Sequence, residues 1–149
     1  MDFAHSLRLI APEETLSVAA LVLLLMSAWA GDKAARLISI LAVAALSACI
    51  VLVAPALCNG DGGPDFTAFY GQHHADAFAA FAKILIYLSS IVTLIVAPAY
   101  FGRLGQMRAE FPVLVLLAAL GMGMMASAGD LLALYIGLEL NSLASYVLA

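Results

Sequence analysis

The sequence predicts an all-α, polytopic transmembrane protein of about five spanning helices. Three observations carry this. Apolar residues make up 65% of the 149 and charged residues only 11%. Mean hydropathy is +1.08. The apolar residues fall into long runs separated by short polar turns, the pattern that a hydrocarbon core imposes. An ordinary soluble domain is excluded, because such domains carry about a quarter charged residues. No basic patch suits nucleic acid. The acids Asp2, Glu13 and Glu14 precede the first apolar run and no basic cluster does, unlike a cleavable signal peptide.

Pro12, Glu13 and Glu14 form a good helix start, with proline in the first turn and acids at the positive end of the dipole. The first span then covers 15–30, with Trp29 at its far interface. Residues 31–36 read as a short polar turn, and the second span as 37–57, kinked or ended near Pro55. Residues 58–75 form the longest loop, with strong turn chemistry from Asn59 to Pro64. His73 and His74 precede Asp76. Adjacent histidines point in different directions on a helix or a strand, so the pair is a poor chelate and reads as a solvated loop. Cys49 and Cys58 lack a Cys-x-x-Cys spacing and read as packing residues.

The third span is expected over 76–98, ending near Pro98, with a turn from Tyr100 to Glu110. Pro112 opens the fourth, over 112–127, where Gly121 and Gly123 let helices approach closely. The turn Ser127-Ala-Gly-Asp130 is too short for anything but a tight antiparallel reversal into the fifth span, 131–149. The turns after spans one and three carry Lys33, Arg36, Arg103 and Arg108; those after two and four carry no Lys or Arg. The positive-inside rule therefore sets the N-terminus outside.

Two charges fall within spans. Glu139 lies roughly 13 Å past Asp130 by helical rise, near the midplane of a core about 30 Å thick. Tyr135, Ser142 and Tyr146 share its face, so the stripe is expected to meet protein or water. An intramembrane carboxylate points to proton transfer, against the alternative of a protonated packing residue. Lys83 is the second charge, roughly 10 Å past Asp76, on one face with Tyr87 and Ser90. It is either a snorkelling side chain or a charge partner for Glu139.

Three stretches carry a resemblance: APEETLSVAALVLLL from Ala11, DAFAAFAKILIYLSSIVTL from Asp76, and the whole segment from Glu110 to Ala149. The last is the most specific, with its Met-rich fourth span, its Ser-Ala-Gly-Asp turn and LYIGLELNSL from Leu134. Together they resemble subunit N of the proton-pumping NADH:quinone oxidoreductase, respiratory complex I. This family comprises antiporter-like membrane subunits homologous to the mitochondrial subunit 2. The resemblance implies proton translocation coupled to quinone reduction, in a bacterial cell inner membrane, among other membrane subunits of complex I. It implies no cofactor on this chain, with NADH, FMN, iron–sulfur clusters and quinone on partner subunits. In the family the fifth-span glutamate, here Glu139, interacts with a lysine on a broken seventh helix. Family members have about fourteen spans with two inverted five-helix repeats. The chain is therefore expected to be an incomplete antiporter-like bundle, the N-terminal part of one membrane domain over 1–149. Other classes are a subunit of a multisubunit cation/proton antiporter and a truncated, inactive remnant.

Overall fold

The computed structural model describes residue 7 and residues 9–59, 67–68, 71–104 and 108–148. Five long helices account for most of them: α1 (Ala11–Ala30), α2 (Ala35–Asn59), α3 (Ala77–Leu104), α4 (Glu110–Ala126) and α5 (Leu131–Leu148). A 3-10 turn, Gly31–Ala34, joins α1 to α2. Two short strands, β1 (Thr67–Ala68) and β2 (His73–His74), pair antiparallel between α2 and α3. Four of the helices have the length and apolar character to cross a membrane. The fifth, α4, has 17 residues, the lower bound for a span.

Three helices begin where the sequence answers the free backbone ends. Proline occupies the first turn of α1, where no N–H is needed. Asp76 caps α3: its Oδ1 accepts from Ala79 N at 2.8 Å. Asp130 caps α5 in the same way, accepting from Ala133 N at 2.7 Å. Two prolines do not end their helices as expected. Pro55 lies inside α2, and Pro98 inside α3, which continues to Leu104. Each removes one helical hydrogen bond near a helix end, a loss that spanning helices absorb through neighbouring groups. The turn expected from Tyr100 is correspondingly shorter.

Buried residues repeat at helical spacing. Leu16, Ala20 and Leu23 mark the inner stripe of α1; Ile38, Ala42, Leu46, Cys49 and Val53 mark that of α2. The opposite faces carry Val18, Leu21, Leu25, Ile40 and Val51, all exposed and apolar, which suits contact with lipid. The centre of the bundle is α4. It packs against all four other helices and buries residues on every side, from Pro112 to Gly123. By contrast α5 packs chiefly on α4 and buries only Gly137 and Ala144.

The α4–α5 contact is a close approach of backbones. A Cβ placed on Gly121 would lie 2.7 Å from Gly137 O and 2.7 Å from Asn141 N. A Cβ on Gly137 would lie 2.9 Å from Gly121 O. Between helices already surrounded by apolar lipid, such dispersion contact is what holds them together. The small residues of the fourth span do serve packing, as expected from sequence.

The hairpin does not extend as a free loop. His74 N donates to Ser127 O at 2.8 Å, and Gly129 N donates to Gln72 O at 2.8 Å. His73 bridges to Ala128. Strand pairing therefore fastens the hairpin onto the α4–α5 turn, which corrects the solvated-loop reading of His73. The reading of residues 60–64 as turn chemistry lies outside the described residues. At the other end of the bundle, Asp32 Oδ1 accepts from Ala109 N at 3.2 Å. That bond ties the turn after α1 to the start of α4.

The packing predicts a sharp positional contrast. Gly137→Val should destabilise the bundle by about 1–3 kcal/mol or more, because Gly121 O and Met125 N, two of the atoms that crowd it, are backbone and cannot swing aside. Gly102→Val, where an added Cβ meets nothing within 4 Å, should be near neutral. Thermal unfolding of the two variants in detergent measures the difference; equal midpoints would contradict a backbone-tight α4–α5 seam.

Candidate functional site

The fold presents two polar centres on opposite sides of α4. The first is the stripe on α5. Glu139 is half-buried, and the Tyr135 side chain one turn earlier stands within electrostatic reach of it. Ser142 is half-buried as well, while Tyr135 and Tyr146 are exposed. The polar stripe is thus present as expected, and it lies on the flank of the five-helix unit rather than in its interior.

The second centre is inside the bundle, and the sequence named only half of it. Lys83 is 3% exposed, Tyr87 0% and Ser90 5%, so the predicted face of α3 is buried throughout. Lys83 does not snorkel. Its Nζ makes an ion pair with Oε1 of Glu13, whose side chain is 12% exposed. Of the two readings of Lys83, snorkelling or pairing with Glu139, neither is the arrangement found, which is a pair with Glu13. The reason is geometric. Glu13 stands in the first turn of α1 and Lys83 in the second turn of α3, and α1 and α3 start from the same side of the bundle. The stripe of Glu139 is carried by α5, which packs chiefly on α4 alone.

Glu13 was read as one of two acids serving the helix dipole, together with Glu14. A finer signal separates them. Glu13, Leu16 and Ala20 follow one another at spacings of three and four, so Glu13 falls on the buried edge of α1, while Glu14 is exposed.

Further polar atoms surround the pair. Thr15 and Cys49 lie beside it: Cys49 Sγ sits 3.5 Å from Pro12 O and 3.9 Å from Thr15 Oγ1. Tyr87 stands one helical turn beyond Lys83, within electrostatic reach of Glu13 and Cys49. Among the described residues its hydroxyl has no hydrogen-bond partner, nor has Glu13 Oε2 or His73 Nε2, and all three atoms are buried. Gly123 of α4 makes room for the hydroxyl, since a Cβ there would stand 3.2 Å from Tyr87 Oη. On the hairpin side, burial lowers His73 from the ordinary 6.5 to about 4, helped by the positive charge of Lys83 and by His74. Among the described residues no group of three or more His, Cys, Asp or Glu is arranged to hold a metal ion.

His73 gives a direct test. A histidine with a depressed pKa stays neutral in the folded protein at neutral pH. Its folded state loses stability as pH falls from about 6.5 to about 4, and the loss is complete below that, where folded and unfolded chains both carry the proton. A pH titration of the imidazole signals by NMR, assigned with a His73→Gln variant, should show this ring titrating near 4. A midpoint at 6.5 would mean that the hairpin does not bury it.

No protein-family model matches the chain. Relatives do, along its full length. It is 62% identical over 149 residues to NADH-quinone oxidoreductase subunit N of Erythrobacter litoralis, covering 100% of this chain and 31% of that protein. It is 54% identical over 151 residues to the subunit N of Rhizorhabdus wittichii, covering 100% of this chain and 30% of that protein. Among solved structures, a chain of respiratory complex I from Thermus thermophilus is similar, with a TM-score of 0.70 and 26% identity. That match covers 93% of this chain and 28% of that one. The chain thus spans about a third of the length of the curated relatives it matches. With an unbroken match at such identity, and the same helical arrangement in a complex I membrane chain, it belongs to the NADH-quinone oxidoreductase subunit N family.

Proposed function

We propose that this chain forms part of an antiporter-like membrane subunit that moves protons in a respiratory NADH:quinone oxidoreductase. The observation that carries the reading is the Glu139 stripe. A half-buried carboxyl near the middle of an apolar helix, beside Tyr135 and set on the flank of the bundle, is poised to meet further helices of a longer subunit. The relatives, about three times as long, have the length to supply those helices. The chemistry of this chain is proton binding and release by Glu139, tuned by desolvation and by a cation brought against it. Electron transfer from NADH, FMN, iron–sulfur clusters and quinone reduction belong to partner subunits. The remaining partners are the other membrane subunits and the lipid bilayer of a bacterial inner membrane.

The orientation is N-terminus outside, with the hairpin and the α4–α5 turn at the outer surface. The Lys and Arg distribution supports it, since Lys33, Arg36, Arg103 and Arg108 lie in or beside the turns that follow α1 and α3. The bond from Asp32 to Ala109 supports it too, because it brings the same two turns together at one end of the bundle.

Two experiments test the proposal. In the complete subunit within its assembled complex, Glu139→Gln should lower coupled proton translocation by about tenfold or more, the scale of a lost general acid–base group. Glu110→Gln, at the start of α4, should leave it unchanged. Full pumping by an assembled Glu139→Gln complex would return this carboxyl to a packing role. For orientation, Gln72→Cys and Arg108→Cys are placed in turn in a background lacking Cys49 and Cys58. An impermeant thiol reagent added to intact cells should label the first and spare the second; the opposite pattern would invert the topology.

A further inference from the structure

The ion pair of Glu13 and Lys83 is more elaborate than a structural pair requires. A pair that only fastens helices is stable when every polar atom around it is satisfied, because each orphan buried beside it costs stability. Here the reverse holds. The Tyr87 hydroxyl is fully buried beside the pair with no partner among the described residues. His73 Nε2 is buried in the same way on the hairpin side, close enough to feel the charge of Lys83. Glycine at position 123 leaves open the space into which the hydroxyl points. Four titratable groups from three segments thus converge: Glu13 from α1, Lys83 and Tyr87 from α3, and His73 from the hairpin. Cys49 of α2 and His74 complete the titratable neighbours, and the described residues that α4 brings here, Gly123 and Ser127, carry no charge.

We propose that Glu13, Lys83 and Tyr87 form a second proton-holding site, separate from Glu139. The inference rests on the proton-moving reading of the subunit. Its chemistry conserves charge and protons at each step. The Lys83 ammonium gives a proton to the Glu13 carboxylate, leaving an amine and a carboxylic acid with no net change of charge. Tyr87 stands one helical turn beyond Lys83, its buried hydroxyl without a partner among the described residues. It donates its hydroxyl proton while accepting another, so it passes protons between the pair and the middle of the bundle without changing its own state.

A structural pair and a proton site respond differently to conservative changes. Tyr87→Phe removes one oxygen that has no protein partner, so a structural role would lose nothing. Glu13→Gln keeps shape and removes the titratable group. Glu13→Asp keeps the group and moves it. The three changes, with Glu139→Gln, are made in the complete subunit and studied in the assembled complex in membrane vesicles. NADH-driven proton uptake, its pH profile and the amount of assembled complex are measured together. Expected is normal assembly of Tyr87→Phe with coupled turnover lowered about tenfold or more, the scale of general acid–base catalysis. Glu13→Gln should match it, and Glu13→Asp should recover turnover with a shifted pH profile. If Tyr87→Phe pumps normally, and Glu13→Gln either pumps normally or only fails to assemble, the pair is structural and the proposal is overturned. Loss in Glu139→Gln alone overturns this inference and leaves the function of the subunit standing; no loss in any variant, Glu139→Gln included, overturns both.

Discussion

Lys83 can be buried only because Glu13 meets it. An ammonium left alone in a low-dielectric interior costs several kcal/mol, and breaking such a pair costs about 3–5 kcal/mol. That constraint reaches well beyond two side chains. It links α1 to α3, helices that are otherwise joined through side chains more than by close backbone packing. It fixes their relative depth, because the first turn of one must stand level with the second turn of the other. It also requires that this end of the bundle be covered, which the hairpin does by pairing with the α4–α5 turn. The polar end is thus held by directional bonds.

The α4–α5 seam is held differently. Lipid tails solvate leucine as well as another helix does, so apolar area alone gives little reason for spanning helices to associate. Close approach of backbones supplies the attraction instead. Gly121 and Gly137 bring α4 and α5 within a distance that forbids a Cβ on either. The same economy explains why the shortest helix is the central one. A 17-residue α4, rich in glycine, alanine and methionine, is thin enough for four neighbours to surround. It lacks an amphipathic pattern because it has no solvent face, as expected for a helix buried all round.

The fold was legible in the sequence because the hydrocarbon core permits so few answers. Runs of apolar residues had to be helices, and Pro12, Asp76 and Asp130 marked starts that the structure keeps. The ends were less clear. Pro55 and Pro98 signal breaks in a soluble helix, but near the end of a spanning one the lost bond is tolerated, so α2 and α3 run on. The site was half legible. The stripe of Lys83, Tyr87 and Ser90 could be read from spacing, because burial follows the helical period. Its partner could not, because pairing depends on which helices are neighbours, and periodicity within a helix is silent on that. Glu13 was hidden by having another explanation, the dipole of α1. His73 was hidden because the backbone bonds that bury it come from residues more than fifty positions later in the chain.

The arrangement of the two polar centres has its own consequence. Lys83 and Glu139 stand at similar depths, yet α4 lies between the helices that carry them. Two charges on helices separated by a third are on the order of 15–20 Å apart, given interaxial spacings of 8–10 Å. At an effective dielectric of about 20, Coulomb's law gives about 1 kcal/mol for unit charges at that range. This is too little to bind one charge to the other, and Lys83 has found a local partner in Glu13 instead. It is enough to bias a proton equilibrium by about fivefold. A helix with no charge of its own beyond its first turn, and with glycines at both contact faces, therefore keeps the centres distinct while letting the charge state of each be felt by the other.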